Sequence, residues 1–155
     1  IAAVSLMGGL LGDHDVLATL SGSELVGLRY RPLFDCFASA AADGAFRVVS
    51  DAYVAEEQTG IVHTAPAFGE DDHRVALHWG LPMREPVDAE GRFTGDAATI
   101  AGGQVVGLFV KDADKLLVRD LKDRGLLFRQ ATIDHDYPFC WRSGTPLIYK
   151  ALSSW

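Results

Sequence analysis

Residues 59–80, TGIVHTAPAFGEDDHRVALHWG, decide how the chain is read. Ile61, Val62 and Thr64 suit a short strand, Pro66 breaks it, and Phe68-Gly69 turns the chain into a segment that opens with Glu70-Asp71-Asp72. Val75, Ala76 and Trp79 then fall at one-turn spacing on a single face, which predicts a helix ended by Gly80 and kept from continuing by Pro82. A strand, a sharp loop and a helix start thus follow one another closely. A helix start presents free backbone N–H groups and a positive dipole end, where polar ligands often sit. His63 and Asp72 stand on either side of the turn.

Upstream, Ala45–Ala55 alternates Phe46, Val48 and Ser50 against Arg47, Val49 and Asp51, with the β-branched and aromatic content of a strand. Further back, residues 27–34 contain Pro32, which stops a central strand, and Tyr30 and Phe34, which suit an irregular turn anchored to the core. Residues 1–20 read as one or two strands around Gly8-Gly9 and Gly12-Asp13. Downstream, Asp88–Gly91 and Ala101–Gln104 are turn signals that predict hairpin-like connections. Asp112–Leu127 is predicted as a helix, because Ala113, Leu116, Leu117, Leu121 and Leu126 trace one apolar face, Asp112 or Asp114 can cap its start, and Gly125 ends it. Leu127–Asp134 reads as a strand, and Asp134–Pro138 leaves the sheet. Several strands with two interspersed helices define a mixed α/β class, drawn as a compact β-barrel or curled sheet with peripheral helices.

A chain of 155 residues fits one domain, large enough to bury roughly two-thirds of its unfolded surface. With 48% hydrophobic and 23% charged residues it falls in the soluble globular class, and no segment has the character of a membrane span. The apolar start, IAAVSLMGGLLG, lacks the basic flank of a signal peptide. The net charge of −7 argues against a general nucleic-acid surface, yet the charge is uneven. Residues 1–110 hold 6 basic and 15 acidic groups (−9), and residues 111–155 hold 8 and 6 (+2), so a nucleic-acid contact would favour the C-terminal part. A solvated helix face explains those cations equally well. Cys36 and Cys140 form no short-spaced pair, which suits free thiols in a reducing cytoplasm.

Alternation along residues 60–64 places Ile61 and His63 on one face, and Val62 and Thr64 on the other. A lone histidine beside a turn is an ordinary structural residue, and carboxylates in a first helical turn, Glu70, Asp71 and Asp72 alike, have an ordinary role with the dipole. Phe68 and Gly69 read as loop geometry, with the phenylalanine lining an apolar wall and the glycine allowing close approach. No serine or cysteine nucleophile sits in a triad motif, and His73 and His78 are five apart rather than four, so neither covalent nor zincin-type chemistry is supported. Were the substrate an activated ester, a positioned water would be the route to its hydrolysis that remains.

The stretch VHTAPAFGEDD, preceded by Thr59-Gly60 and followed by YPFCWRSGTPLIYKALSSW, resembles the editing domain of class I isoleucyl-tRNA synthetases and its return into the catalytic core. GSELVGLRYRPLFD, RVVSDAYVAEEQTGIVHTAPAFGEDD and the run to Tyr149 resemble that insertion in the same order, from about Leu25 onward. The resemblance implies a β-barrel-like editing fold over residues 1–155 as a single domain, an excised piece in which about 137–155 is the return strand toward the core. It implies aminoacyl-tRNA deacylase activity on valine mischarged to tRNA(Ile), with the tRNA 3′ end and the remainder of the synthetase in cis as partners, a cytoplasmic location and no membrane. One methylene is worth only about 1–3 kcal/mol in an apolar pocket, a magnitude for which isoleucine–tRNA ligases are themselves the standard illustration, so a second, smaller sieve is needed.

By the same resemblance, His63 walls the pocket so that isoleucine is excluded, and Asp72, nine places on, binds the α-amino group, a task for which a carboxylate is the strong acceptor. Phe68, Gly69 and Thr64 complete the expected substrate-binding set. Many relatives have a second cysteine where Ser143 stands, a spacing that could ligate zinc, so no metal is expected here. The family's threonine-rich peptide, which holds the terminal adenosine and the water, has no counterpart in the chain, nor do the motifs for ATP. ATP and magnesium are therefore expected only for the full-length synthetase, with no cofactor in this domain. A catalytically silent tRNA-binding or structural module is the alternative; an editing domain of a valyl- or leucyl-tRNA synthetase is disfavoured by AFGEDD and CWRSGTPLIY.

Overall fold

Both expected helices form where local periodicity places them. In the computed structural model, which describes residues 1–55, 60–132 and 136–152, helix α3 (Glu70–Trp79) buries Val75 and Ala76 and ends on Gly80 in the left-handed conformation, φ 61° and ψ 39°. Leu81 N–H then donates to Ala76 O at 2.9 Å, closing the end as a glycine C-cap does. Helix α4 (Val110–Asp123) starts two residues before the expected Asp112, from Phe109 in extended conformation. Asp112 consequently lies in the first turn, where its charge meets the helix dipole, instead of capping the end. Leu126 falls beyond the last turn and is 50% exposed.

The buried cluster gathers Ala97, Ile100, Val105 and Ala113, so it lies where α4 packs on the short 3₁₀ turns Gly95–Ala97 and Ile100–Gly103. Phe34, Cys36, Phe93, Leu116 and Leu117 pack around it. A smaller buried group, Ala67, Val75 and Ala76, lies under α3 and the loop before it.

Extended segments meet, among the described residues, through isolated antiparallel bridges: Arg29 with Arg47, Val87 with Phe93, Arg92 with Phe109, and Phe139 with Pro146. The expected turn at Asp88–Gly91 forms between Val87 and Phe93, and Asp88 Oδ1 accepts the N–H groups of Glu90 and Arg92 at 3.0 and 2.8 Å. Residues 1–20 depart from expectation. They hold a 3₁₀ turn, Val4–Leu6, and a single turn of helix, α1 (Met7–Leu10), closed locally by Leu11 N–H on Met7 O at 3.0 Å, whereas a strand would need a partner edge. Helix α2 (Gly22–Leu25) follows, held by a Ser21–Glu24 capping box.

The run from Ala45 to Ala55 pairs only around Arg47, where Val48 and Leu28 are joined at 2.8 Å. Phe46, at φ 56°, interrupts the pleat there. Beyond Val48 the chain leaves its β partner, and Ser50, Asp51 and Tyr53 run along α3 instead. Residues 61–64 and 127–132 enter no bridge among the described residues. Ile133 and Asp134 of the second expected strand, Thr59 of the central stretch, and Ser153–Trp155 of the expected return segment lie outside the described residues.

Candidate functional site

The N-terminus of α3 is fixed by the loop that precedes it. Phe68 N–H donates to Ala65 O at 2.8 Å, His73 Nδ1 lies 3.2 Å from Pro66 O, and Ala151 N–H reaches Ala67 O at 2.8 Å from the C-terminal segment. Residues 47–53 lie antiparallel along the helix. Arg47 donates to Trp79 O at 2.6 Å at its C-terminal end, and Trp79 Nε1 donates to Ser50 O at 3.0 Å. Arg74 makes a two-pronged bond to Asp51 at 2.8 and 2.9 Å midway, and the Tyr53 hydroxyl reaches Asp72 near its start, at 3.5 Å.

This packing brings His63, Gly69, Glu70, Asp71 and Asp72 to one depression of about 380 Å³, lined also by Tyr53, Val62 and Tyr149. Its volume is within the range of small-molecule sites, roughly 300–1,000 Å³. His63 is exposed and Asp72 is half-buried. The carboxylate of Asp72 folds back against Gly69, in the space a Cβ would take. The turn thus accepts glycine for the room it leaves: at φ −159° its backbone is ordinary extended chain.

The three acids at the helix start differ in surroundings. Asp71 Oδ1 is paired with Arg74 at 3.2 Å, and the same guanidinium holds Asp51. Arg74's hydrogen bond, then Tyr53 N–H, holds the Asp51 carboxyl down at about 2. Among the described residues no lysine or arginine pairs with Asp72, so its charge faces the depression without a protein cation. Burial, above all, pushes the Tyr53 phenol up, and a hydrogen bond with Thr64 partly opposes it.

The expected alternation of residues 61–64 does not hold. Val62 and His63, neighbours in sequence, line the same depression, and Thr64 meets Tyr53 on its wall, so the three are not divided between two faces. The strict two-residue period belongs to a pleat held by neighbouring strands, and this segment has none among the described residues. Phe68 is not in this group. It lines a second, largely apolar depression of about 400 Å³ with Phe93, Lys111, Tyr137 and Tyr149. Tyr149 is the wall common to both. Tyr53 and Tyr149 escape a reading of the sequence because each reaches the site through the path of a distant segment.

Cys36 and Cys140 are both free thiols. Hydrogen bonding from Ser143, the residue at the second-cysteine place, lowers the Cys140 thiol. Among the described residues no three His, Cys, Asp or Glu side chains gather as a metal-ligand set, and no helix is long and apolar enough to cross a membrane.

Comparison with known proteins gives no matching family model. Over 144 residues and 92% of its length, the chain is 52% identical to an isoleucine–tRNA ligase of Bdellovibrio bacteriovorus, of which it covers 13%. It is 46% identical over 149 residues to the cytoplasmic isoleucine–tRNA ligase of Mus musculus, covering 11% of it, and 48% identical over 154 residues to an isoleucine–tRNA ligase of Treponema denticola, covering 14%. Identity at this level across most of the chain makes it homologous to a segment of aminoacyl-tRNA synthetases. Within that class, the segment is one of isoleucine–tRNA ligase, about an eighth of the length of the relatives it matches.

Proposed function

We propose that this chain supplies the editing site of an isoleucine–tRNA ligase, in which water hydrolyses the ester of valine mischarged to tRNA(Ile) and isoleucine is kept out by size. The observation that carries the reading is the joint placement, in one depression of a segment homologous to that ligase, of His63 and an Asp72 carboxylate that pairs with no lysine or arginine among the described residues. The α-ammonium of the aminoacyl group pairs with Asp72, for which a charged acceptor gives a short, strong hydrogen bond. Asp71 is occupied by Arg74 and is the poorer candidate. His63 limits the depth available to the side chain. Water attacks the ester carbonyl, the acyl–oxygen bond breaks, and the amino acid and the free tRNA hydroxyl leave.

No cofactor enters this step; ATP and magnesium belong to amino-acid activation elsewhere in the ligase. With this reading go the β-barrel-like architecture with peripheral helices, its extent as one domain over 1–155, the return of residues 137–155 toward the catalytic core, and contact with the tRNA 3′ end. The cytoplasmic location follows the mouse relative's description.

The test is single-turnover hydrolysis of Val-tRNA(Ile) and Ile-tRNA(Ile) by full-length ligase carrying this segment. Asp72→Ala is expected to lower valyl-ester hydrolysis by about 100-fold, two to three kcal/mol for a lost charged hydrogen bond, with isoleucine activation intact and Asp71→Ala near parental. His63→Ala is expected to raise the ratio of isoleucyl to valyl hydrolysis. Normal clearance by Asp72→Ala would leave the silent tRNA-binding module as the better account. An unchanged ratio in His63→Ala would remove its sieving role.

A further inference from the structure

We propose that Tyr53 is a positioning residue of this site, its hydroxyl steering the Asp72 carboxylate into the orientation that receives the substrate ammonium. The inference rests on the proposed editing function and adds to it a residue from a different segment of the chain.

Tyr53 is held at three points. Its backbone N–H donates to Asp51 Oδ1 at 3.1 Å, its ring lies under the Arg74 guanidinium at 5.8 Å, and its hydroxyl meets Thr64 and, at 3.5 Å, Asp72 Oδ1. Asp51 is itself fixed by both prongs of Arg74, so the ring is carried by a bonded frame along α3. The contact with Asp72 is long for a hydrogen bond, and its effect is one of direction more than of strength. Direction is what a carboxylate needs here. Asp72 is bounded by Gly69 on one side, where a side chain would collide with it, and by the Tyr53 hydroxyl on another.

The phenol is pushed up chiefly by burial and also by the charges of Asp72 and Asp71, so it keeps its proton at neutral pH and is a donor toward the carboxylate. A packing role alone does not account for this placement. Tyr53 is half-buried, lines the depression, and stands outside the buried cluster under α4. The same frame draws Asp71 toward Arg74 and away from competition for the ligand cation.

The experiment compares two esters on tRNA(Ile) in the full-length ligase: valyl, and 2-hydroxyisovaleryl, which has a hydroxyl in place of the ammonium. Tyr53→Phe keeps the ring and removes the donor. It is expected to lower kcat/KM for the valyl ester about tenfold, mainly through KM, and to change the hydroxy ester less than about twofold. An equal loss on both esters assigns Tyr53 to structure alone and overturns the proposal, as does no loss on either. Asp72→Ala, run in parallel, tests the underlying reading. If it leaves the preference for the amino ester intact, the editing assignment of Asp72 fails; if it erases that preference while Tyr53→Phe does not lower it, only the role of Tyr53 fails.

Discussion

At position 69 a single methyl group would stand where the Asp72 carboxylate lies. Because the backbone there is extended and the obstructing atom is the end of a movable side chain, Gly69→Ala should fold normally and misplace the acid. The expected result is a stability change within about 0.5 kcal/mol by urea denaturation, together with at least about a tenfold loss of valyl-ester hydrolysis. A normal rate would mean that the orientation of Asp72 is immaterial. His63 and Asp72 were legible as candidates from the motif and the helix start it contains. Local pattern alone does not separate Asp72 from Asp71, because both sit in the same first turn; the resemblance selects Asp72 by its place nine residues after His63. The structure adds Arg74, which pairs with Asp71 one helical turn before it and also holds Asp51, a residue 23 positions earlier.

Between elements, the bond from Arg74 to Asp51 fastens residues 47–53 to α3. With the folded Asp51 carboxyl at about 2 and an unfolded aspartate near 3.9, its contribution is fully present above about pH 4 and is lost as pH falls through about 2. Arg74→Met should therefore lower the thermal midpoint at pH 7, and the gap from the parent should close between about pH 4 and 2. A gap constant across that range would show that the pair is not the fastening. The contrast between helices and strands has the same physical root. Both long helices were legible because a helix closes its hydrogen bonds within four residues and displays its buried face at a fixed period. A strand depends on whichever segment lies beside it. Residues 45–55 have the alternation of a strand, yet Phe46 bends the chain and their later part lies along α3.

Across the whole molecule, the buried cluster around α4 and the candidate site are separate. Ala97, Val105 and Ala113 have no exposed surface and lie in the cluster that α4 packs on, whereas the site is made of loop, helix end and C-terminal segment, tied by backbone and side-chain hydrogen bonds. Ala113→Leu should accordingly cost about 1–3 kcal/mol by overpacking, read as a lower urea midpoint with an unchanged slope. Below the unfolding transition, hydrolysis by the same variant should stay within about twofold of parental, since additivity holds for distant sites. A proportionate loss of activity would show that core and site move together. Tyr149 walls both depressions, and Ala151 beside it bonds back to Ala67 in the loop before α3. On a ribosome, His63 and Asp72 emerge well before that closing segment does. A nascent chain therefore passes through a stage in which the acid and the imidazole are already made while the wall they share is still inside the exit tunnel, and the site is completed late in its own translation.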